Sequence, residues 1–198
     1  MNRLDALVAD RRPCNGTYFT IAIDGRGASG KSSLARFLET RLHGFSVVHG
    51  DDYFEPHNDP ITWGQFNEER LETEVLSQIR AGEREIVSRP CDFLRSTLGP
   101  ARRICVERGL LFDRWFSLEL PVQWDIRIWV ETPANICLAR GIARDADAAA
   151  EERVRLAWEQ VWQPREARYI EETEPLDKAD IVIDGTAPFE PQLDLPGA

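Results

Sequence analysis

Residues 25–32 read Gly25, Arg26, Gly27, Ala28, Ser29, Gly30, Lys31, Ser32. The run fits G-x-x-x-x-G-K-[ST], the phosphate-binding loop or Walker A pattern, over its whole length. Just before it, Phe19-Thr20-Ile21-Ala22-Ile23-Asp24 is a short apolar run that predicts a buried strand over 18–24. Just after it, Ser33 through Glu39 carries the amphipathic spacing of a helix, predicted over 30–42. Strand, loop and helix in that order are the context the pattern requires. Glycines let the backbone bend so that N–H groups converge on an anion, and the helix adds its positive N-terminal end. In this reading residues 25–33, Ser33 included, cradle ATP. Lys31 reaches the β- and γ-phosphates, and the Ser32 hydroxyl holds Mg²⁺.

The same glycines, Gly25, Gly27 and Gly30, also spell G-x-G-x-x-G, the dinucleotide fingerprint, and Asp51 and Asp52 stand near where a ribose-binding acid would be. The Lys31-Ser32 pair is superfluous in that setting. A second mononucleotide half and a substrate domain would also be hard to fit into 198 residues.

Length predicts one domain over 1–198, with a core at about 17–186, a small lid with flanking helices at 133–165 and a frayed tail at 187–198. The formal net charge is −10, so the surface repels nucleic acid and anionic membrane. A polyanionic ligand therefore needs locally concentrated positive charge. Lys31 is one of two lysines in an otherwise arginine-based chain. Cys14, Cys91, Cys105 and Cys137 form no metal-type cluster, and no leader or membrane-spanning run is visible. These features predict a reduced, cytoplasmic protein. Its expected partner is a small molecule with a hydroxyl group, without nucleic acid or membrane, and homo-oligomerisation is compatible with the chain.

Residues 1–16 predict a short lead-in helix and turn. Further strands are expected at 45–48, 103–107, 125–131 and 179–184, and helices at 68–80, 133–144 and 148–171, the last interrupted at Pro164. Strands alternating with helices predict an α/β, three-layer P-loop NTPase sandwich: a five-stranded, mostly parallel sheet with helices on both faces and a small lid.

Phosphoryl transfer needs a cradle, a metal, an oriented nucleophile and charge neutralisation. Asp51 and Asp52 follow the second strand, where carboxylates face the ligand crevice. Asp51 is the better candidate to take a hydroxyl proton, or to anchor metal waters. Glu107, read as the end of the third strand, is a second candidate metal carboxylate. Arg140 and Arg144, four apart on one helix, put two guanidiniums on one face and suit a transferring phosphoryl group. Tyr53, Phe54, Trp63 and Phe66 cluster after Asp51 as a candidate pocket wall. Trp158 and Trp162 read as core packing.

With these residues assembled, the chain resembles the uridine kinase-like branch of the phosphoribulokinase/uridine kinase family. The resemblance rests on Ile21 to Gly25 with Gly30 to Ala35, on Asp51-Asp52-Tyr53-Phe54, on Pro90-Cys91-Asp92-Phe93, on Val106-Glu107, on Arg140 to Asp145 and on Ala179 to Gly185. It implies a general base at Asp51 and an acceptor pocket drawing on Asp52, Tyr53, Trp63, Arg89, Cys91 and Asp92. It also implies catalytic roles for Lys31, Arg140 and Arg144, and metal roles for Ser32, Asp51 and Glu107. The sequence departs from the family at Cys91, where a tyrosine is expected. It departs again at Arg95-Ser96-Thr97, where a histidine is expected, and at Arg108, which breaks a Glu-Gly pair. The implied activity is transfer of the γ-phosphoryl of Mg-ATP to a hydroxyl of a nucleoside or similar metabolite. A nucleoside monophosphate kinase remains an alternative, with Arg89, Arg95, Arg102 and Arg103 as phosphate partners. A non-catalytic nucleotide switch is a further one, although no Asn-Lys-x-Asp guanine signature occurs.

Overall fold

The computed structural model describes residues 8, 13–14, 17–56, 65–92, 97–146 and 151–193. The lead-in helix expected before residue 17 lies mostly outside them. β1 (Phe19–Gly25) is buried along its whole length. α1 (Lys31–Arg41) starts behind Gly30, whose φ of 110° is left-handed, and no side chain caps it. Its first N–H groups are thus left for a ligand. Next come β2 (Phe45–His49) and a 3₁₀ turn, Gly50–Tyr53. α2 (68–80) contains a π-helical turn at Glu72–Leu76, and the Asn67 side chain caps its start by accepting from Arg70 N at 2.8 Å.

Four short strands follow: β3 (Glu85–Ser88), β4 (Cys91–Asp92), β5 (Thr97–Leu98) and β6 (Arg102–Cys105). The chain continues through β7 (Gly109–Asp113), β8 (Ile126–Glu131), α3 (Ala134–Asp145) and α4 (151–173). It closes with α5 (Pro175–Lys178), β9 (Ile181–Asp184) and α6 (Phe189–Leu193).

The central sheet has five strands in the order β2-β7-β1-β8-β9, all parallel. Side chains alternate between its faces, as the strand period of two demands. Ile21, Ile23 and Leu111 pack on Leu34 and Leu38 of α1. Ala22, Leu110 and Phe112 pack on the other face with Leu71, Val75 and Ile79 of α2. Sheet and helices thus make the expected three-layer α/β sandwich. A third cluster, around Trp115, Val154, Trp158 and Trp162, joins α4 to Ala28 of the loop and to Leu138 of α3.

Three expectations are corrected. The strand expected at 103–107 is not in the central sheet. Its residues alternate in exposure and pair antiparallel with β3, as a half-solvated strand does. The third strand of the central sheet is the continuously buried β7. Glu107 therefore precedes β7. Its N–H reaches Gly44 O at 3.3 Å, at the sheet edge where Gly109 meets Phe19 and Phe45. About 13 Å of strand, at ~3.3 Å per residue, separates that edge from Asp113, so Glu107 cannot share a metal with the loop.

The tail is helical at Phe189–Leu193, with Leu193 3% exposed and Phe189 packed on Phe37 at 5.9 Å between ring centroids. Pro164 does not interrupt α4. A π-helical turn at Trp158–Trp162 lets Gln163 N reach back to Trp158 O, and Pro164 then falls in the first turn of the segment that follows. That placement spares the interior hydrogen bond a proline would otherwise remove.

Candidate active site

The registers place the carboxyl ends of the inner strands at one edge. Ile23 pairs with Asp113, His49 with Asp113, and Gly25 with Val130. Ligands of open parallel sheets bind in the crevice at this edge. Here it holds a cavity of about 490 Å³, lined on one side by Gly27, Ala28, Gly30, Lys31, Ser32 and Ser33. Gly25 is fixed by packing: a β-carbon on it would lie 2.6 Å from Val130 O. Ala28 takes a left-handed φ of 57°, an unusual conformation for a residue with a side chain. Ser29 is buried beneath the loop, its carbonyl accepting from Thr132 Oγ1 at 2.9 Å.

Within the loop, Lys31 Nζ donates to Gly25 O at 3.0 Å and to Arg26 O at 2.7 Å. The lysine thus satisfies itself on the loop's own carbonyls. Glu166 of α4, 2% exposed, accepts from Gly27 N at 2.7 Å, and its other oxygen lies 3.9 Å from Arg26. Burial pushes the Glu166 carboxyl up, against the pull of the Gly27 amide. Behind the loop, Asp24 accepts from Gly25 N, Phe116 N, Leu118 N and Tyr169 Oη, at 2.6 to 3.0 Å.

The same cavity is lined by Asp51 and Asp113, with Arg114 next to Asp113 in the chain. Burial, and then the Asp113 charge, raise the Asp51 carboxyl above the ordinary aspartate range, while Lys31, Arg114 and Arg144 pull it down. His49 Nδ1 lies 2.6 Å from Asp113 Oδ1, a contact that raises the imidazole against its own burial. Arg140 and Arg144 both line the cavity from α3. Arg140 Nη1 donates to Gly185 O at 3.0 Å, and Arg144 pairs with Asp145 at 2.7 Å.

The structure thus brings the loop, Asp51, Arg140 and Arg144 around one space. The other sequence candidates stand elsewhere. Asp52 ion-pairs with Arg102 of β6. Tyr53 is fully buried, its hydroxyl 2.6 Å from Ser88 Oγ and pushed up to about 12 by burial. Arg89 is turned onto the carbonyls of Leu98 and Gly99. Cys91 and Asp92 form β4, which pairs with β5 and packs against the 3₁₀ turn that carries Asp51, without lining the cavity themselves. Trp63, Phe93 and Arg95 lie outside the described residues. Trp158 and Trp162 pack in the third core cluster and also line the cavity.

Asp113, Arg114 and Glu166 were missed by sequence reasoning. Asp113 had a legible signal: an apolar run, Leu110 to Phe112, that ends in a carboxylate. Ser32, Asp51 and Asp113 offer an all-oxygen donor set of the kind a small hard cation takes alongside phosphate oxygens. The mutual repulsion of the two aspartates is what a cation between them would relieve.

No protein-family model matches this sequence, and no curated protein matches it. Among solved structures, a possible uridine kinase from Bacillus stearothermophilus matches with a TM-score of 0.64 at 18% identity, covering 91% of this chain and 95% of that one. A candidate fructose transport system kinase from Silicibacter sp. TM1040 matches with a TM-score of 0.61 at 20% identity, covering 90% of this chain and 96% of that one. At such identities the likeness is one of fold, and the chain shares the α/β fold of these two structures. Among the described residues, no helix is long and apolar enough to cross a membrane.

Proposed function

We propose that this protein is an ATP-dependent kinase that transfers the γ-phosphoryl group to a hydroxyl of a small metabolite. The observation that carries the reading is the single cavity shared by the phosphate loop, Asp51 and the lid arginines Arg140 and Arg144. The triphosphate would lie on the amides of residues 27–33. Lys31 would leave the carbonyls of Gly25 and Arg26 for the β- and γ-phosphates. The acceptor hydroxyl gives its proton to Asp51 as its oxygen bonds to the γ-phosphorus, and the bond from that phosphorus to the β–γ bridging oxygen breaks. A carboxylate with a raised proton affinity is suited to that step. Arg140 and Arg144, on a helix at the cavity mouth, would neutralise the transferring group and exclude water as α3 closes. Ser32 and Asp113 would hold Mg²⁺, which supplies charge neutralisation on the phosphates, and Asp51 stays free to act as the base.

ATP consumption, measured against nucleosides, nucleoside monophosphates, sugars and vitamin-like alcohols, tests the reading. Turnover with at least one acceptor, lost in Lys31→Ala, is expected. Absence of turnover with every acceptor by a protein that binds ATP would leave a nucleotide-binding switch in its place.

A further inference from the structure

Arg114 follows Asp113 at the crevice edge and is 8% exposed. Its stem crosses the backbone of Gly50, where a β-carbon would collide with it. Its guanidinium lies 3.4 Å from the centre of the Phe66 ring and 5.8 Å from that of Phe54. Stacking covers a face of the guanidinium but leaves its donors, which lie in the plane, free to point sideways. Nη1 donates to Phe116 O at 3.2 Å. Nε is buried without a hydrogen-bond partner, and Nη2 makes no hydrogen bond, among the described residues.

Four carboxylates, Asp51, Asp24, Glu68 and Glu119, act on this charge. None of the four makes a hydrogen bond or ion pair with it among the described residues. Asp24 is already committed to four donors. The guanidinium is therefore short of an anion, and an unpaired buried charge is costly. Lys31, Arg36, Arg140 and Arg144 line the same cavity and supply cations enough for a triphosphate. Arg114 lines it too, and the carboxylate that acts on it most strongly is Asp51, where the acceptor hydroxyl must come.

We infer, on the kinase reading above, that Arg114 anchors an acidic group of the acceptor. The substrate is a hydroxylated metabolite that already bears a phosphate or a carboxylate. A planar fork of donors suits either group bidentately. A neutral alcohol would leave the buried guanidinium unanswered.

Matched acceptor pairs test the assignment: a sugar, its phosphate and its acid, and a nucleoside with its monophosphate, each with ATP. In the wild-type protein kcat/KM is expected to favour an anionic member at least tenfold, and the phosphate and acid arms tell the two sources apart. Arg114→Gln should raise the KM of that acceptor roughly 10- to 100-fold, the usual loss for a charge-assisted hydrogen bond, with the Kd for ATP unchanged. Arg114→Lys keeps the charge without the fork and should recover part of the loss.

A second arm needs no turnover. Inorganic phosphate and acetate are titrated into protein filled with Mg²⁺ and a non-hydrolysable ATP analogue, and binding is expected in the wild type and not in Arg114→Gln. Neutral members consumed as well as their anionic partners would overturn the inference. So would an Arg114→Gln defect confined to ATP affinity, or failure of both anions to bind. If no alcohol of either kind consumes ATP, the kinase reading fails, and the titration still decides the anion site.

Discussion

Asp51 and Asp52 are adjacent in sequence and differ in surroundings. Asp52 is held by Arg102, whereas Asp51 lines the cavity together with Lys31. Asp51→Asn keeps the shape and removes the proton acceptor, so kcat should fall about 10²- to 10⁴-fold, the usual span for a lost general base. Kinetics at saturating ATP check this, and Asp52→Asn should leave kcat near the wild-type value. The pH dependence has a definite sign. The base works deprotonated, and burial raises its carboxyl. Activity should therefore fail on the acid side at a pH above the ~3.9 of a free aspartate. Arg114 pulls the Asp51 carboxyl down, so Arg114→Gln should move that acidic limb of kcat/KM to higher pH. At this scale the loop and Asp51 were legible because their roles follow from neighbours in sequence. Glu166 was not, because its partner Gly27 is 139 residues away.

At the scale of elements, the loop is held from below by one carboxylate. Asp24 joins the end of β1 to residues 116–118 and, through Tyr169, to α4. All four of its partners donate, so an amide in its place must turn a donor toward one of them. Asp24→Asn should cost about 1–3 kcal/mol in urea unfolding, the penalty for leaving a buried polar group unsatisfied. The sign with pH also follows. The Asp24 carboxyl is raised by burial. Its contribution is therefore fully present below the unfolded-state value and is lost as pH rises through the folded value. From above, α4 presses Glu166 and Trp158 onto Gly27, where a β-carbon would meet them at 2.9 and 2.8 Å. Glu166→Gln can still accept from Gly27 N, but it removes a negative charge from beside the phosphate site. ATP should then bind roughly tenfold more tightly, the equivalent of ~1.4 kcal/mol, by equilibrium titration. The elements themselves were legible wherever burial was one-sided or continuous. A strand is expected at 103–107 as the third of the sheet, but Arg103 to Glu107 alternates in polarity and pairs with β3 instead. The continuous run from Gly109 to Asp113 is the pattern a parallel sheet requires.

For the whole molecule, the net charge of −10 sets a surface that repels polyanions, while Lys31, Arg36, Arg114, Arg140 and Arg144 gather at one cavity. That contrast was legible only in part, since the arginines converge from β7, α1 and α3 and their meeting depends on the order of strands in the sheet. A ligand that binds this cavity bridges the sheet edge and α3, so binding should stabilise the fold as a unit. Saturation at a hundred times Kd adds about 2.7 kcal/mol, and for a chain of this size that raises Tm by roughly 5–10 °C. Lys31→Ala should abolish the rise. The same event has an optical reporter. Trp158 packs between Gly27 of the loop and Gly141 of α3 and donates from Nε1 to Asp145 Oδ2 at 3.0 Å. Arg144 lies 5.8 Å from its ring centre, so a lid arginine that turns to the phosphates must change the field at the indole. Titration with Mg-ATP should give a saturable change in tryptophan emission that is lost in Trp158→Phe and persists in Asp51→Asn. A signal that survives in Trp158→Phe would instead assign the change to Trp115 or Trp162, which line the same cavity.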